Sequence, residues 1–301
     1  MRFSIRPTVG RTRRQEQRAQ MTEIKINVVG AGRVGKTLIS LLDGTDGCRI
    51  QDILSTSFQS ANEAAQLSKT GRVAASYADL RPADLWILSV PDTQISAVAH
   101  ELKEAFENQE KTGKPSVAFH CSGYFPAEQL APLRSLSWSL SSVHPVLSFA
   151  DPQAAAAQFK EALCGLEGDE DATALIQPLL EGLGATCFPI RSESKSLYHA
   201  AAVISNNFAV VLQAIAREAW AEAGVPDETA RKLNAGLLSS TVENVDLLGP
   251  QSALTGPAAR GDSEVVAQQG ADVAAWHRDA GEIYKQMSLL AQKLKATGFT
   301  K

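Results

Sequence analysis

No two cysteines in this chain stand at C-x-x-C spacing, and no two histidines stand at a spacing that could share a metal ion. The four cysteines, at 48, 121, 164 and 187, are isolated, as are the five histidines. A zinc ribbon and a dithiol redox motif are therefore excluded, and no metal is expected. Lone thiols fit a reduced, cytoplasmic compartment. A G-x-S-x-G elbow is also missing, so hydrolysis by an activated serine has no anchor. Cys121 beside His120 does not replace it, because adjacent strand residues point to opposite faces. Positive charge is scarce too: the net charge is −4, which argues against nucleic acid as a partner.

That balance is uneven. Residues 1–20 hold six arginines and one glutamate, leaving 23 basic against 32 acidic residues in the rest. The prefix has no apolar run of signal-peptide length. It resembles a transit peptide, or reads as a disordered basic tail or a mis-assigned start with Met21 as the first residue, and is set aside from the fold. Charge is absent altogether from Ser196 to Ala216. Serine, asparagine, glutamine and histidine inside that stretch make it too polar for a membrane span, so no membrane partner is expected.

What is present alternates. Short apolar runs at Ile24–Val29, Arg49–Leu54, near Val73, and at Leu85–Val90, Val117–His120 and Trp138–Val143 read as strands, with helical stretches between the earlier ones. Unbroken apolar runs of this length fit strands buried on both faces of a parallel sheet. Leu163–Leu166 and Thr186–Ile190 are shorter candidates joined by a helix near 170–182. Asp92 is placed to cap a helix over Ile95–Phe106. After Ile190 strand signals stop, and helices are predicted over 192–223, 227–247, 262–268 and 271–296. The expected architecture is α/β, a Rossmann-like, doubly wound, mostly parallel sheet over 22–190, followed by an all-helical domain over 191–301.

Gly30-Ala31-Gly32-Arg33-Val34-Gly35 follows the first strand and opens a helix. In that context G-x-G-x-x-G marks a dinucleotide cradle. Gly30 permits the turn, Gly32 admits a pyrophosphate to the backbone, and Gly35 lets helix and strand pack. The second strand ends in Ser55-Thr56-Ser57, where an NAD site usually carries a carboxylate. Hydroxyls there, with Arg33 or Lys36 nearby, favour NADP over NAD; an ordinary polar turn is the alternative. Val90 and Pro91 at the end of the fourth strand are expected beside the nicotinamide. Ser122, Gly123 and His144, at the ends of the next two strands, are expected to meet substrate. His120 reads either as a bonded core histidine or as a site residue.

The stretch from Lys195 to Asn207, KSLYHAAAVISNN, opens the helical region. On an ideal helix His199 lies about 40° and Asn206 about 20° from Lys195, with Ile204, Phe208, Val211 and Ile215 opposite. Lys195 is expected to polarise a carbonyl or imine, and His199 or Tyr198 to relay the proton. A solvated first turn with a packed histidine is the alternative.

GAGRVG, SVPD, HCSG, SVHP, KSLYHAAAVISNN and TGPAARGD occur in this order. In this the chain resembles bacterial proteins that pair a Rossmann-like domain with a helical domain of unknown function. Those are similar in turn to deazaflavin-dependent NADP oxidoreductases, pyrroline-5-carboxylate reductase and the 3-hydroxyacid dehydrogenases. The resemblance implies an NAD(P)-dependent oxidoreductase acting on a small molecule in a cleft between domains, and a homodimer formed through the helical domain. The dehydrogenases carry K-x-x-N-N; here Tyr198 and His199 stand where the two amides would be. Thr255 and Arg260, in TGPAARGD, are expected either to meet an anionic substrate or to form a rigid turn with an Arg260–Asp262 pair. Asp262 would cap the next helix. A non-catalytic NADP(H) sensor is the rival function.

Overall fold

The computed structural model describes residues 23–109, 115–147 and 149–301. The basic prefix lies outside the described residues. The chain forms two compact units that divide between Ala202 and Val203. The sequence placed the change at Ile190. The first two turns of the following helix group with the sheet instead, because Lys195 is buried there.

In the first unit, eight strands make one sheet in the order β3-β2-β1-β4-β5-β6-β7-β8. They are β1 (Ile24–Val29), β2 (Cys48–Leu54), β3 (Arg72–Val73), β4 (Leu85–Leu88), β5 (Val117–His120), β6 (Ser139–Val146), β7 (Leu163–Gly168) and β8 (Thr186–Pro189). All neighbours are parallel except β6 and β7. Order reverses between β1 and β4, the switch point where open sheets take ligands beyond their carboxyl ends. The helices are α1 (Arg33–Asp43), α2 (Phe58–Gln66), α3 (Ile95–Phe106), α4 (Pro152–Gln158), α5 (Glu170–Gly182) and α6 (Lys195–Ala202).

Every residue of β4 is buried, which is why its sequence is a continuous apolar run rather than an alternating one. Side chains of opposite parity feed two cores. Ile26, Val28, Leu85 and Ile87 join Leu38 and Ile39 of α1 on one face. Trp86 and Leu88 join Leu102 and Phe106 of α3 and Trp138 on the other. Trp86 stacks on Trp138 with ring centres 5.0 Å apart.

The second unit is helical, as expected: α7 (Ala209–Glu222), α8 (Asp227–Leu248), α9 (Pro250–Ala253), α10 (Pro257–Arg260), α11 (Ser263–Trp276) and α12 (Arg278–Thr297). Trp220 donates its indole N–H to Asn234 Oδ1 at 3.0 Å, tying α7 to α8. Gly281 of α12 packs against Ala274 of α11, where a side chain would collide. The break expected near Gly270 falls at His277 instead. Gly270 is accommodated in the helix under Tyr284, and the His277 ring accepts the Ala280 N–H to cap α12.

Between α6 and α7, Val203–Phe208 is a π-helical turn. The ideal-helix angles drawn from Lys195 therefore fail beyond Ala202, because each π-turn bond spans an extra residue. Asn206 and Asn207 are exposed and bond each other at 3.4 Å. Taken through the π-turn, Ser192–Glu222 is long and apolar enough to cross a membrane by length and composition.

Candidate active site

The glycine turn is closed behind and open in front. Gly30 has φ +101°, and a side chain there would come within 2.6 Å of the Ser89 carbonyl. Ser89 Oγ donates to the Gly30 carbonyl at 2.6 Å. A side chain at Gly35 would collide with that same carbonyl, so the glycine sets how closely α1 meets the turn. At Gly32, by contrast, no described atom beyond its chain neighbours lies within 4 Å of where a side chain would begin. The first turn of α1 holds no acid, so its N–H groups and partial positive charge stay available to an anion.

A cavity of about 820 Å³ opens at this turn. Gly30, Ala31 and Gly32 line one side, Ser55, Thr56, Ser57, Ser60, Ser76 and Tyr77 another, and Val90 and Pro91 a third. Among the described residues, no charged side chain is in its wall. Asp52, in β2, faces elsewhere: it is fully buried and accepts from Arg81 at 2.7 Å and Arg72 at 2.9 Å. Ser57 Oγ accepts the Ser60 N–H and caps α2. Arg33 and Val34 line an adjoining cavity of about 510 Å³ that shares Gly32, Val90 and Pro91. Lys36 is paired with Glu63 of α2 at 2.6 Å.

From Pro91 the chain runs straight into a second polar cluster. Asp92 does not cap α3. Its Oδ2 accepts from Ser122 Oγ at 2.8 Å. Ser122 Oγ in turn accepts the N–H groups of Tyr124 and Phe125 at 3.1 and 3.0 Å. One donor and two acceptors exhaust a hydroxyl, so the Ser122 side chain builds the loop and has nothing left for a ligand. His120 resolves as a core histidine. It is fully buried, its Nδ1 accepts the Ser122 N–H, and its Nε2 donates to the Pro126 carbonyl at 3.0 Å.

Lys195 is 1% exposed. Its ammonium donates to the Ser122 carbonyl at 2.8 Å and to Ser142 Oγ, and lies 3.9 Å from Glu167 Oε1. Glu167 also accepts the Ala127 N–H and the Ser192 hydroxyl, each at 2.6 Å. Two hydrogen bonds and one ion-pair contact hold the ammonium in place. Lys195 thus links the turn after β5 to Ser142 within β6 and Glu167 of β7. Burial lowers its pKa to about 8, against the pull of Glu167 and Asp92.

Above this floor stand Tyr198, His144 and His199. Tyr198 Oη and His144 Nδ1 are 2.8 Å apart. A side chain at Gly123 would meet His144 Nε2 and His199 Nδ1, each at 2.7 Å. Gly165, opposite His144 in the β6–β7 register, leaves room for Tyr198 Oη in the same way, at 2.9 Å. Burial, then the neighbouring His199 and Lys195, push His144 down to about 4. Burial, then Cys164, push the Tyr198 phenol up to about 12. Both groups are therefore neutral around pH 7. Burial also raises Cys121 to about 12, which makes it a poor nucleophile.

A Rossmann-like domain model matches residues 11–145. A domain of unknown function, DUF2520, matches residues 162–291. The chain pairs a Rossmann-like domain with a DUF2520 domain. A protein of Thermotoga maritima with the same fold is 26% identical, with 91% of this chain and 99% of that one covered and a TM-score of 0.72. An imine reductase of Myxococcus stipitatus, solved with NADP+, is 17% identical over 92% of this chain and 96% of its own, with a TM-score of 0.62. A pyrroline-5-carboxylate reductase of Coxiella burnetii is 13% identical over 88% and 97%, with a TM-score of 0.56. No curated protein sequence matches this chain.

The strand-end cluster is assembled from both matched segments. The Rossmann-like domain supplies Asp92, Ser122, Gly123 and His144; the DUF2520 domain supplies Glu167, Lys195, Tyr198 and His199. Thr255 and Arg260 belong to the helical unit, and Arg260 pairs with Asp262 at 2.8 Å, the rigid-turn alternative. Asp262 precedes α11 but makes no side-chain cap, since its carboxylate is held by Arg260. Glu167, Ser142 and the bonding role of Asp92 went unseen in the sequence. A charged residue closing the apolar run of β7 was the one signal for Glu167.

Proposed function

We propose that this chain is an NADP(H)-linked reductase of a small carbonyl or imine compound. One observation carries the reading: the chain that lines the glycine-turn cavity passes from Pro91 to Asp92, whose carboxylate accepts from Ser122, the residue before Gly123 in the polar cluster. A dinucleotide fits the residues present. The space over Gly32 is open, the α1 N-terminus faces it without an acid, and about 820 Å³ lies within the usual range of cofactor sites, about 300–1,000 Å³. Ser55, Thr56 and Ser57, with no carboxylate beside them, suit a 2′-phosphate better than a bare ribose, and Arg33 in the adjoining cavity adds charge of the right sign. Lys36 is committed to Glu63. The NADP-containing imine reductase points the same way.

When bound, the dinucleotide supplies a hydride. The chain's own residues bind and orient around it. Gly30, Ala31, Gly32, Arg33, Val34 and Gly35 hold the pyrophosphate; Val90 and Pro91 shape the nicotinamide end. His144 and His199 meet the substrate over Gly123, and Tyr198 fixes the His144 ring. Lys195 acts one layer below them. Its buried ammonium bonds the Ser122 carbonyl and Ser142 of β6, so we assign it to positioning those groups rather than to the polarising role expected of it.

A second copy of the chain is the partner we propose for the helical unit. Of residues 203–301 only Ala230, Ala280 and Gly281 are buried, while Phe208, Val211, Leu237, Val242 and Leu290 are exposed. The polar residues at both ends of Ser192–Glu222, from the sealed Lys195 to Arg217 and Glu218, favour a protein surface over a bilayer for its apolar middle. Light scattering after gel filtration would show a dimer; a monomer stable without detergent at micromolar concentration would refute it.

Fluorescence titration with NADPH and NADH tests the nucleotide reading. NADPH is expected to bind more tightly, tighter NADH overturns the preference, and no binding of either ends the reading. A panel of cyclic imines, oxo acids and deazaflavin, followed by loss of NADPH absorbance, separates a reductase from a sensor. NADPH binding without oxidation by any of them would favour the sensor.

A further inference from the structure

We propose that Phe149 packs against the nicotinamide ring and holds it for hydride transfer. The dinucleotide lies across β1 and β4. Its adenosine half occupies the cavity of about 820 Å³, and its nicotinamide half the cavity of about 510 Å³ that Phe149 lines. This rests on the dinucleotide reading above.

The sheet order divides the two cavities. Beyond the glycine turn, the larger one takes its wall from the segments after β2 and β3, Ser55–Ser57 and Ala75–Tyr77, and from α3. β2 and β3 lie on one side of β1. The smaller one draws on none of these. It takes Arg33 and Val34 from the start of α1, and Phe149 and Ala150 from the segment after β6, a strand on the far side of β4. Both share Gly32, Ser89, Val90 and Pro91, where strand order reverses. A pyrophosphate at Gly32 therefore has a cavity on either hand, and a nucleoside can leave it in each direction. The ribose 2′ position belongs at the end of β2, where Ser55–Ser57 stand. The nicotinamide half is left with the β6 side.

Packing fixes where Phe149 sits. Shortly after it, Pro152 opens α4, and Asp151 caps that helix by accepting the Ala154 N–H at 2.8 Å. Thr37 of α1 is fully buried. Its hydroxyl lies 2.9 Å from the Arg33 carbonyl and 3.4 Å from the Pro152 carbonyl. The start of α4 is thus held beside the first turns of α1. That anchor brings Phe149 to the same end of α1 as Arg33 and Val34.

The wall suits a ring. Among the described residues it has one aromatic side chain, Phe149, one charged side chain, Arg33, and no acid. The cation belongs with the pyrophosphate at the neighbouring Gly32. Val34, Val90 and Pro91 are aliphatic and match the flat faces of a nicotinamide, and an aromatic partner adds stacking to burial. Holding the ring matters because hydride transfer needs the donor carbon about 3–3.5 Å from the acceptor. Phe149 supplies neither proton nor charge; it limits the angles the ring can take.

Two ligands separate the halves: NADPH, and adenosine 2′,5′-bisphosphate, which lacks the nicotinamide. Affinities are measured by calorimetry on the full chain. Phe149→Ala is expected to weaken NADPH about tenfold and to leave the bisphosphate unchanged. Phe149→Tyr, which keeps the ring, is expected to bind NADPH as wild type does. On wild-type protein the nicotinamide emission of NADPH is expected to rise and move to the blue as the ring leaves water. Equal weakening of both ligands by Phe149→Ala would make the residue structural and overturn the proposal. Weakening of the bisphosphate alone would put adenosine beside Phe149 and overturn it too. Tight NADPH binding with unchanged emission overturns it without any variant. NADPH affinity that Phe149→Ala leaves unchanged ends the proposal and spares the dinucleotide reading; no NADPH binding by wild type ends both.

Discussion

The two units solve the burial problem in opposite ways. In the sheet unit, side chains of opposite parity along β1 and β4 enter two dense cores, one under α1 and one under α3. In the helical unit the long helices α7, α8, α11 and α12 touch their sequence neighbours, yet almost nothing between Val203 and Lys301 is buried. Ordering a residue costs about 1–2 kcal/mol of backbone entropy, and that must be offset by burial. The sheet unit meets the cost from its own side chains. The helical unit leaves most of its apolar side chains exposed, which is the ground for the second copy proposed above.

That contrast can be broken or sharpened. The largest expected effect is Trp86→Ala. The ring is fully buried, stacked on Trp138 and edge-on to Phe106 at 5.1 Å, and its loss should cost about 3–5 kcal/mol in urea unfolding. A loss under about 1 kcal/mol would mean the core is looser than drawn. Lys195→Met comes next, at about 3 kcal/mol, because it strands the Glu167 carboxylate in a buried site. NADPH affinity should change little. A stabilised variant would show that the ion pair is dispensable to the floor.

Dilution should separate the units. The unfolding transition of the helical unit should fall by several degrees over a hundredfold dilution, as mass action requires of an oligomer, while that of the sheet unit stays fixed. Two concentration-independent transitions would contradict a shared core. Acid should act on the sheet unit. His120 and His144 are near 4 when folded and about 6.5 when unfolded. The unfolded chain therefore binds protons first, and stability complete above about pH 6.5 should be lost progressively down to pH 4. A flat melting temperature over that window would show that both rings are hydrated. Smallest of all is Arg260→Ala. An exposed Arg–Asp pair is worth under about 1 kcal/mol, and the melting temperature should barely move.

Much of the sheet unit was legible because its signals are local. Apolar runs bounded by glycine and proline gave the strands. G-x-G-x-x-G gave the turn, and Gly30 and Gly35 stand where backbone and helix leave no room for a side chain. The site was only half legible. Lys195, Tyr198 and His199 were picked out together, but their division of labour depends on Ser142 and Glu167, which approach from strands 53 and 28 positions earlier in the numbering. Asp92 and Asp262 sit at positions typical of helix caps, yet Ser122 and Arg260 compete successfully for their carboxylates. Propensity alone cannot rank such rivals. The break at His277 and the π-turn were hidden for a related reason: Gly270 is tolerated under Tyr284, and nothing in Val203–Phe208 marks an extra residue in the turn.

That π-turn works as a store for one residue of chain. Each of its bonds spans one residue more than an α-helical bond, so the gain or loss of one residue within Val203–Phe208 is taken up inside the turn and leaves the hydrogen bonding of the α-helical stretches on either side as it was. Along Ser192–Glu222 it is the place where the length of the chain can change with the least local disturbance.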